Sequence, residues 1–352
     1  NHEEQHQELL AYDIKYILGH QPTFPNIPLD YSLQEETQDL QFLKVEEGVY
    51  EIGHVSNDFC FDNELGVHKT YIQPFSIANK LVTNREFIEF IGDAEAVVVG
   101  LETLDSSTLK QLKKLKIISK YGVGLNNIDL DYCKKNNIHI GWTGGVNKLS
   151  VAEMTLGFML MMCRNLYVSS NLHKSQKWEK NGGFQLSGKK IGIIGVGHIG
   201  KEVIRLLKPF NCNIFVNDII DQHEYYLENK LKEMSKETIF KESDIISIHT
   251  PLDDSTKDMV DRNILKSMKP SAFIINSARG GIVNENDLKV ALTNNEILGA
   301  AIDSYLVEPP KDTELLSLPN LICTPHIGGN AKEAVEAMGM SAIKHIREYI
   351  KK

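Results

Sequence analysis

Ile191-Gly-Ile-Ile-Gly195-Val-Gly197-His-Ile-Gly200, followed by Asn213-Ile-Phe-Val-Asn-Asp218, is the stretch that decides how this chain folds. An apolar run ends in glycines spaced G-x-G-x-x-G, a helical run goes from about Ile199 to Leu207, and a second apolar run ends in an acid. Strand, glycine turn, helix, strand and acid in this order are the fingerprint of a dinucleotide-binding unit. Gly195 permits the tight turn, Gly197 lets backbone approach a pyrophosphate, and Gly200 lets the helix pack close to the strand. The helix N-terminus, with His198 and Ile199 in its first turn, offers free N–H groups and a positive dipole end to phosphates. Asp218 stands where a carboxylate accepts hydrogen bonds from adenosine ribose hydroxyls and repels a 2′-phosphate. No Arg follows within several residues, so the expected cofactor is NAD and not NADP.

Outward from this unit, short apolar runs alternate with helical patterns. Val97–Gly100, Lys116–Ser119, Ile138–Ile140, Ile245–His249, Ala272–Asn276, Gly299–Asp303 and Leu321–Thr324 read as further strands. Near-continuous apolar strands separated by helices predict a parallel sheet covered on both faces, an α/β, doubly wound (Rossmann) architecture. Ser150-Val-Ala-Glu153 reads as a capping box opening an apolar helix to about Val168, and Asn330-Ala-Lys-Glu333 as a similar box opening the last helix. Before Phe90 the text differs: a polar helical opening, a loop with Pro22, Pro25 and Pro28, and strand-like pieces at Val49–Gly53 and Lys69–Ile72.

Composition narrows the function classes. The charge balance, 38 basic against 47 acidic residues, gives −9 and argues against a nucleic-acid or anionic-membrane partner. Five scattered cysteines, never spaced CxxC, read as reduced cytoplasmic thiols. No apolar run reaches the ~18 residues of a membrane span. The chain opens without Met and without a signal peptide, which reads as a fragment or a processed product.

Ligands of open α/β sheets bind beyond the carboxyl ends of the strands. Arg279, Glu308 and His326 all follow predicted strands there. Hydride transfer at an alcohol carbon needs a base for the hydroxyl proton, a carboxylate to orient that base, and a cation to grip an anionic substrate. His326, Glu308 and Arg279 supply these three. Each residue alone is equally a structural loop histidine, a solvated acid or a salt-bridging arginine; their joint position gives the pattern its meaning.

The motifs Lys120-Tyr-Gly122-Val-Gly124-Leu-Asn-Asn127-Ile-Asp129, Asn147 with Ser150–Glu153, Gly195–Gly200 with Asp218, His249-Thr-Pro251-Leu252, Asn276–Gly281, Asp303 with Glu308-Pro309, and Thr324–Gly329 run in order over the last three quarters of the chain. In them the chain resembles the D-isomer-specific 2-hydroxyacid dehydrogenases, most of all the phosphoglycerate dehydrogenase-like branch. The resemblance implies a hydride-transferring oxidoreductase for a small D-2-hydroxy or 2-oxo acid, a 3-phosphoglycerate-like one included. It implies that Arg279 binds substrate, that Glu308 pairs with His326 as general acid/base, and that backbone near Val123 and Gly124 holds the substrate carboxylate. Thr250, Pro251, Ala278 and Asp303 would contact the cofactor, Asp303 at the nicotinamide amide. It also implies a homodimer built on the cofactor domain. The domains would be a cofactor domain over 144–326 and a smaller, N-terminally truncated flavodoxin-like substrate domain from 92–143 and 327–352. An α+β segment, 1–91, precedes them.

That segment places His2 and His6 four apart, a spacing that suits one metal ion and equally a charged, solvated helix. With Tyr16–Pro25, Glu47–Gly53, Phe59–Glu64 and Gln73–Thr83 it resembles a fragment of the ergothioneine-type iron-dependent sulfoxide synthases. There His2 and His6 would be two of three iron ligands, the third being absent. Three readings follow: an NAD-dependent dehydrogenase; a non-enzymatic NAD-binding module or inactive truncated fusion; and an iron-dependent sulfoxide synthase.

Overall fold

The computed structural model describes residues 41–54, 66–79 and 92–351, and the chain divides into two compact units, Asn1–Phe90 and Ile91–Lys352. In the first unit, β1 (Phe42–Val45) pairs antiparallel with β4 (Phe75–Ala78), and β2 (Gly48–Ile52) pairs antiparallel with β3 (His68–Ile72). The strand-like pieces Val49–Gly53 and Lys69–Ile72 fall on β2 and β3 to within a residue at each end, whereas β1 and β4 carry too short a pattern to stand out. His2, His6, the proline loop and Phe59–Glu64 lie outside the described residues.

The second unit holds two parallel sheets. The smaller has three strands in chain order, β5 (Ala96–Val99), β6 (Ile117–Lys120) and β7 (His139–Gly141). Its central strand is buried at all four positions because both faces are covered. The last helix, Lys332–Ile350, returns to pack on it, and Ser119 Oγ donates to the Ala342 carbonyl at 2.8 Å. This layer of sheet and helix is thus built from both ends of the unit.

The larger sheet has seven parallel strands: β8 (Lys190–Ile194), β9 (Asn213–Asn217), β10 (Lys232–Glu233), β11 (Ile245–Ile248), β12 (Phe273–Asn276), β13 (Gly299–Ile302) and β14 (Leu321–Cys323). Their order in space is β10-β9-β8-β11-β12-β13-β14. The chain winds outward from β8 to β10, then returns to lay β11 beside β8. The order reverses there, the point at which open sheets of this kind bind their ligands. β11, β12 and β13 are buried at every position, as a sheet with helices on both faces requires.

Both predicted capping boxes are corrected. The helix of Ser150 begins at Lys148 with Asn147 as N-cap and no side-chain cap bond. The Ser150 hydroxyl, one turn inside, donates to the Gly328 carbonyl at 2.6 Å and accepts from Ala331 N–H at 3.3 Å. A tertiary partner has displaced the local one. The last helix has Ala331 at its N-cap, likewise without a side-chain bond, because Asn330 belongs to the preceding turn through its N–H on the Ile327 carbonyl. The long apolar helix also stops at Cys163 and not near Val168: Asn165 turns left-handed (φ 52°) and a separate helix, Leu166–Lys174, follows.

At the reversal point His249 is half-buried, with Nε2 2.9 Å from Ser247 Oγ and the enclosed Nδ1 without a partner among the described residues. Burial pushes its pKa from 6.5 down to about 3. Between those values the unfolded chain binds this proton and the folded chain does not, so stability falls as pH falls through that window. Urea unfolding over pH 6.5 to 4 is expected to show a shallower loss in His249→Gln than in the parent, by up to one proton's slope. An unchanged slope would mean that the folded protein accommodates the charged ring.

Candidate functional site

The glycine loop leaves β8 through Gly195, whose φ of +92° is the left-handed region that a side chain resists. A Cβ there would also stand 2.6 Å from the His249 carbonyl oxygen. A Cβ on Gly200 would strike the Gly195 carbonyl, so the helix His198–Leu207 presses directly on the turn. Gly197 faces open space. The Asp218 carboxylate, just past β9, closes the loop by accepting Val196 N–H at 2.6 Å and Ile220 N–H at 2.9 Å. Gln222 Nε2 donates to the Val196 carbonyl at 3.2 Å.

Across the reversal point, the Thr250 hydroxyl is buried without a hydrogen-bond partner among the described residues. Pro251 is held by its carbonyl, which accepts from Thr256 Oγ1 at 2.7 Å. Ala278 N–H is fixed by Asn276 Oδ1 at 3.2 Å. A buried orphan hydroxyl, an open backbone face at Gly197, the unsatisfied N–H groups of a helix first turn and an acid at the next strand's end together fit a dinucleotide.

Two further strand ends carry the polar chemistry. Asp303, just past β13, is 1% exposed. Its Oδ1 accepts Thr324 Oγ1 at 2.6 Å and Ile327 N–H at 2.9 Å, and its Oδ2 accepts Gly328 N–H at 2.8 Å. The loop 324–328 is thereby clamped onto β13. His326, in the middle of that loop, has φ 54°, a strained backbone held in place by these bonds. Its Nδ1 lies 2.8 and 2.9 Å from the two oxygens of Glu308. Glu308 Oε1 also accepts Tyr305 N–H at 3.1 Å. With Nδ1 turned to a carboxylate, Nε2 is the ring nitrogen left for other work. Both side chains are about two-fifths exposed, so the pair is reachable from solvent.

Arg279, past β12, donates from Nη1 to the Ala278 carbonyl at 2.7 Å. Its other side meets the 122–124 loop: a Cβ on Gly124 would stand 2.5 Å from Nη2. Burial pulls the Arg279 pKa down and the charge of Glu308 opposes that pull. Among the described residues neither Val123 N–H nor Gly124 N–H has an acceptor. The structure therefore brings Arg279, Gly124, Glu308 and His326 to one edge, with a fixed cation and free backbone donors near an oriented imidazole. Among the described residues no group of three histidine, cysteine or acidic side chains is placed to hold a metal.

Two residues at this edge take parts that the sequence reading does not assign, although Lys120 opens the motif Lys120–Asp129. Lys120, 5% exposed, donates to the Gly100 carbonyl and to Asn127 Oδ1 at 2.8 Å. Burial lowers its pKa, Glu102 raises it, and Arg279 adds to the lowering. Trp142 donates from its indole to the Val123 carbonyl at 3.0 Å, a contact that no local pattern announces.

Residues 156–328 match the D-isomer specific 2-hydroxyacid dehydrogenase, NAD binding domain. The D-3-phosphoglycerate dehydrogenase of Methanocaldococcus jannaschii is 34% identical over 279 residues, 77% of this chain but 52% of the relative, so the chain spans about half its length. The hydroxypyruvate reductase of Thermotoga maritima is 33% identical over 280 residues, 78% of this chain and 90% of the relative. Among solved structures, the D-lactate dehydrogenase of Aquifex aeolicus complexed with NAD and lactic acid is 25% identical. It superposes with a TM-score of 0.69 over 75% of this chain and 85% of that one.

The Asp303 clamp is open to test. Asp303→Ala leaves two backbone N–H groups and a hydroxyl without their acceptor, each costing about 1–3 kcal/mol when buried. The expected result is a lowered melting temperature, with amide exchange accelerated at Ile327 and Gly328 ahead of β13 itself. Unchanged protection at those two amides would show that the loop is held by other means.

Proposed function

The chain belongs to the D-isomer-specific 2-hydroxyacid dehydrogenase family, and from that premise we propose that it interconverts a small D-2-hydroxy acid and its 2-oxo acid with NAD. The observation that carries this reading is the His326–Glu308 pair at 2.8 Å, at the same sheet edge as Arg279 and the glycine loop. The nicotinamide supplies or accepts the hydride at the substrate carbon when bound. The chain's own residues do the rest. Arg279 and the free N–H groups of Val123 and Gly124 grip the carboxylate and fix which face of the neighbouring carbon is presented. In reduction the His326 imidazolium gives the Nε2 proton to the carbonyl oxygen; in oxidation the neutral ring takes the hydroxyl proton back. Glu308 holds the Nδ1 proton and stabilises the charged ring, a role it keeps in both directions. Asp303, through the 324–328 loop, sets where the ring stands.

The cofactor residues are Gly195, Gly197, His198, Ile199, Gly200, Asp218, Thr250, Pro251, Ala278 and Asp303. Asp218 with the apolar Ile219 and Ile220 behind it favours NAD over NADP, since a 2′-phosphate would meet a carboxylate and no cation. We read 144–326 as the cofactor domain and 92–143 with 327–352 as the substrate domain. The fit of small substrates is supported by the relatives, among them a hydroxypyruvate reductase and a glyoxylate reductase. A homodimer is supported by an apolar groove of about 550 Å³ beside the end of the 148–163 helix, lined by Met161, Met162, Tyr167, Phe184, Leu318 and Pro319. No described helix is long and apolar enough to cross a membrane. The free thiols of Cys133, Cys163, Cys212 and Cys323 suit the cytoplasm.

Turnover is tested by NADH oxidation with glyoxylate, hydroxypyruvate and pyruvate. His326→Ala is expected to lower kcat by roughly 10²–10⁴, the range for losing a general acid, with NADH affinity unchanged. Arg279→Met is expected to raise KM for the oxo acid at least tenfold, since about 1.5–3 kcal/mol rides on a hydrogen bond to a charged group. NADH binding without turnover by the parent on any oxo acid would sink the proposal in favour of a cofactor-binding module.

A further inference from the structure

The 122–124 loop and the chain crossing at 141–145 meet at Trp142, which takes no part in the chemistry above. Its indole N–H donates to the Val123 carbonyl at 3.0 Å. In a trans peptide the carbonyl of one residue and the N–H of the next point in opposite directions. The Val123–Gly124 peptide, held by its carbonyl on the indole, therefore turns the Gly124 N–H away from the ring. Gly124 itself lies against the Arg279 guanidinium.

Something must hold this peptide. Val123 sits between Gly122, with φ +110°, and Gly124. Backbone flanked by glycines turns over a peptide plane at little steric cost. An indole is a donor and no acceptor, so it tolerates only the carbonyl-inward state. A flipped peptide would set two donors face to face. The far edge of the same ring is itself braced: a Cβ on Gly144 would lie 3.0 Å from Trp142 Cη2 and 3.1 Å from His198 Nε2. The crossing thus carries Trp142 on one side and touches the first turn of the glycine-loop helix on the other.

We propose that Trp142 is a positioning residue for carboxylate recognition, its indole N–H locking the Val123–Gly124 peptide so that the Gly124 N–H faces the substrate beside Arg279. The assignment rests on the hydroxy-acid reading and extends it to a residue outside the reacting set. Trp142→Phe keeps an aromatic ring at this position and removes the donor; Trp142→His restores a ring N–H. With saturating NADH and glyoxylate varied, KM for glyoxylate is expected to rise about fivefold in Trp142→Phe, the size of one lost neutral hydrogen bond, while kcat stays within about twofold. NADH affinity stays at the parent value, and Trp142→His recovers a measurable part of the KM. An unmoved KM in Trp142→Phe, or a loss carried by kcat or NADH affinity, overturns the assignment while leaving the proposed function in place. A parent protein that turns over none of glyoxylate, hydroxypyruvate and pyruvate overturns both.

Discussion

A parallel strand can be reached from its neighbour only by a crossover, and crossovers of one hand put every connection of one kind at the same edge of the sheet. That constraint organises the second unit. Once β9 and β10 are laid on one side of β8, the chain has to come back and start again with β11 on the other. The loops leaving β8, β9, β11, β12, β13 and β14 then all emerge on one edge. Gly195, Asp218, Thr250, Arg279, Asp303 and His326 lie far apart in sequence and meet because each follows a strand of this one sheet. The loops are free to carry chemistry because the strands beneath them are held by burial and by their hydrogen-bonded neighbours, without help from the loops.

Periodicity and punctuation made the strands of that sheet legible. Six of its seven strands are read to within one residue at each end, because a buried parallel strand is a short apolar run bounded by polar turns. β10, two residues long and exposed, carries no such signal. The helix ends misled for a physical reason. A Ser three residues before a Glu satisfies the local rule for a cap, yet a hydroxyl goes to whichever acceptor the folded chain offers, and Gly328 lies within reach of Ser150. Local rules are reliable where no distant group competes.

The candidate site divides along the same line. Residues whose role follows from their type and place at a strand end, such as Arg279 and His326, stand out in sequence. Residues whose role follows from what they touch do not. Asp303 reads as a cofactor contact, and in the fold its carboxylate holds the loop of His326 with both oxygens. Lys120 opens a motif without a part assigned to it and Trp142 belongs to none, yet both sit under or beside the 122–124 loop. Supporting groups of this kind bond to backbone, and backbone carries no letter in the sequence.

The C-terminal helix returns to the small sheet, so the polypeptide passes between the two sheets twice, once near Trp142–Asn147 and once near Ile327–Ala331. The passages are stitched together where Ser150 bonds both the Gly328 carbonyl and the Ala331 N–H. Two crossings bonded to each other leave the small sheet fewer ways to shift against the large one than a single linker would, so the alignment of Gly124 with Arg279 and His326 does not hang on one joint.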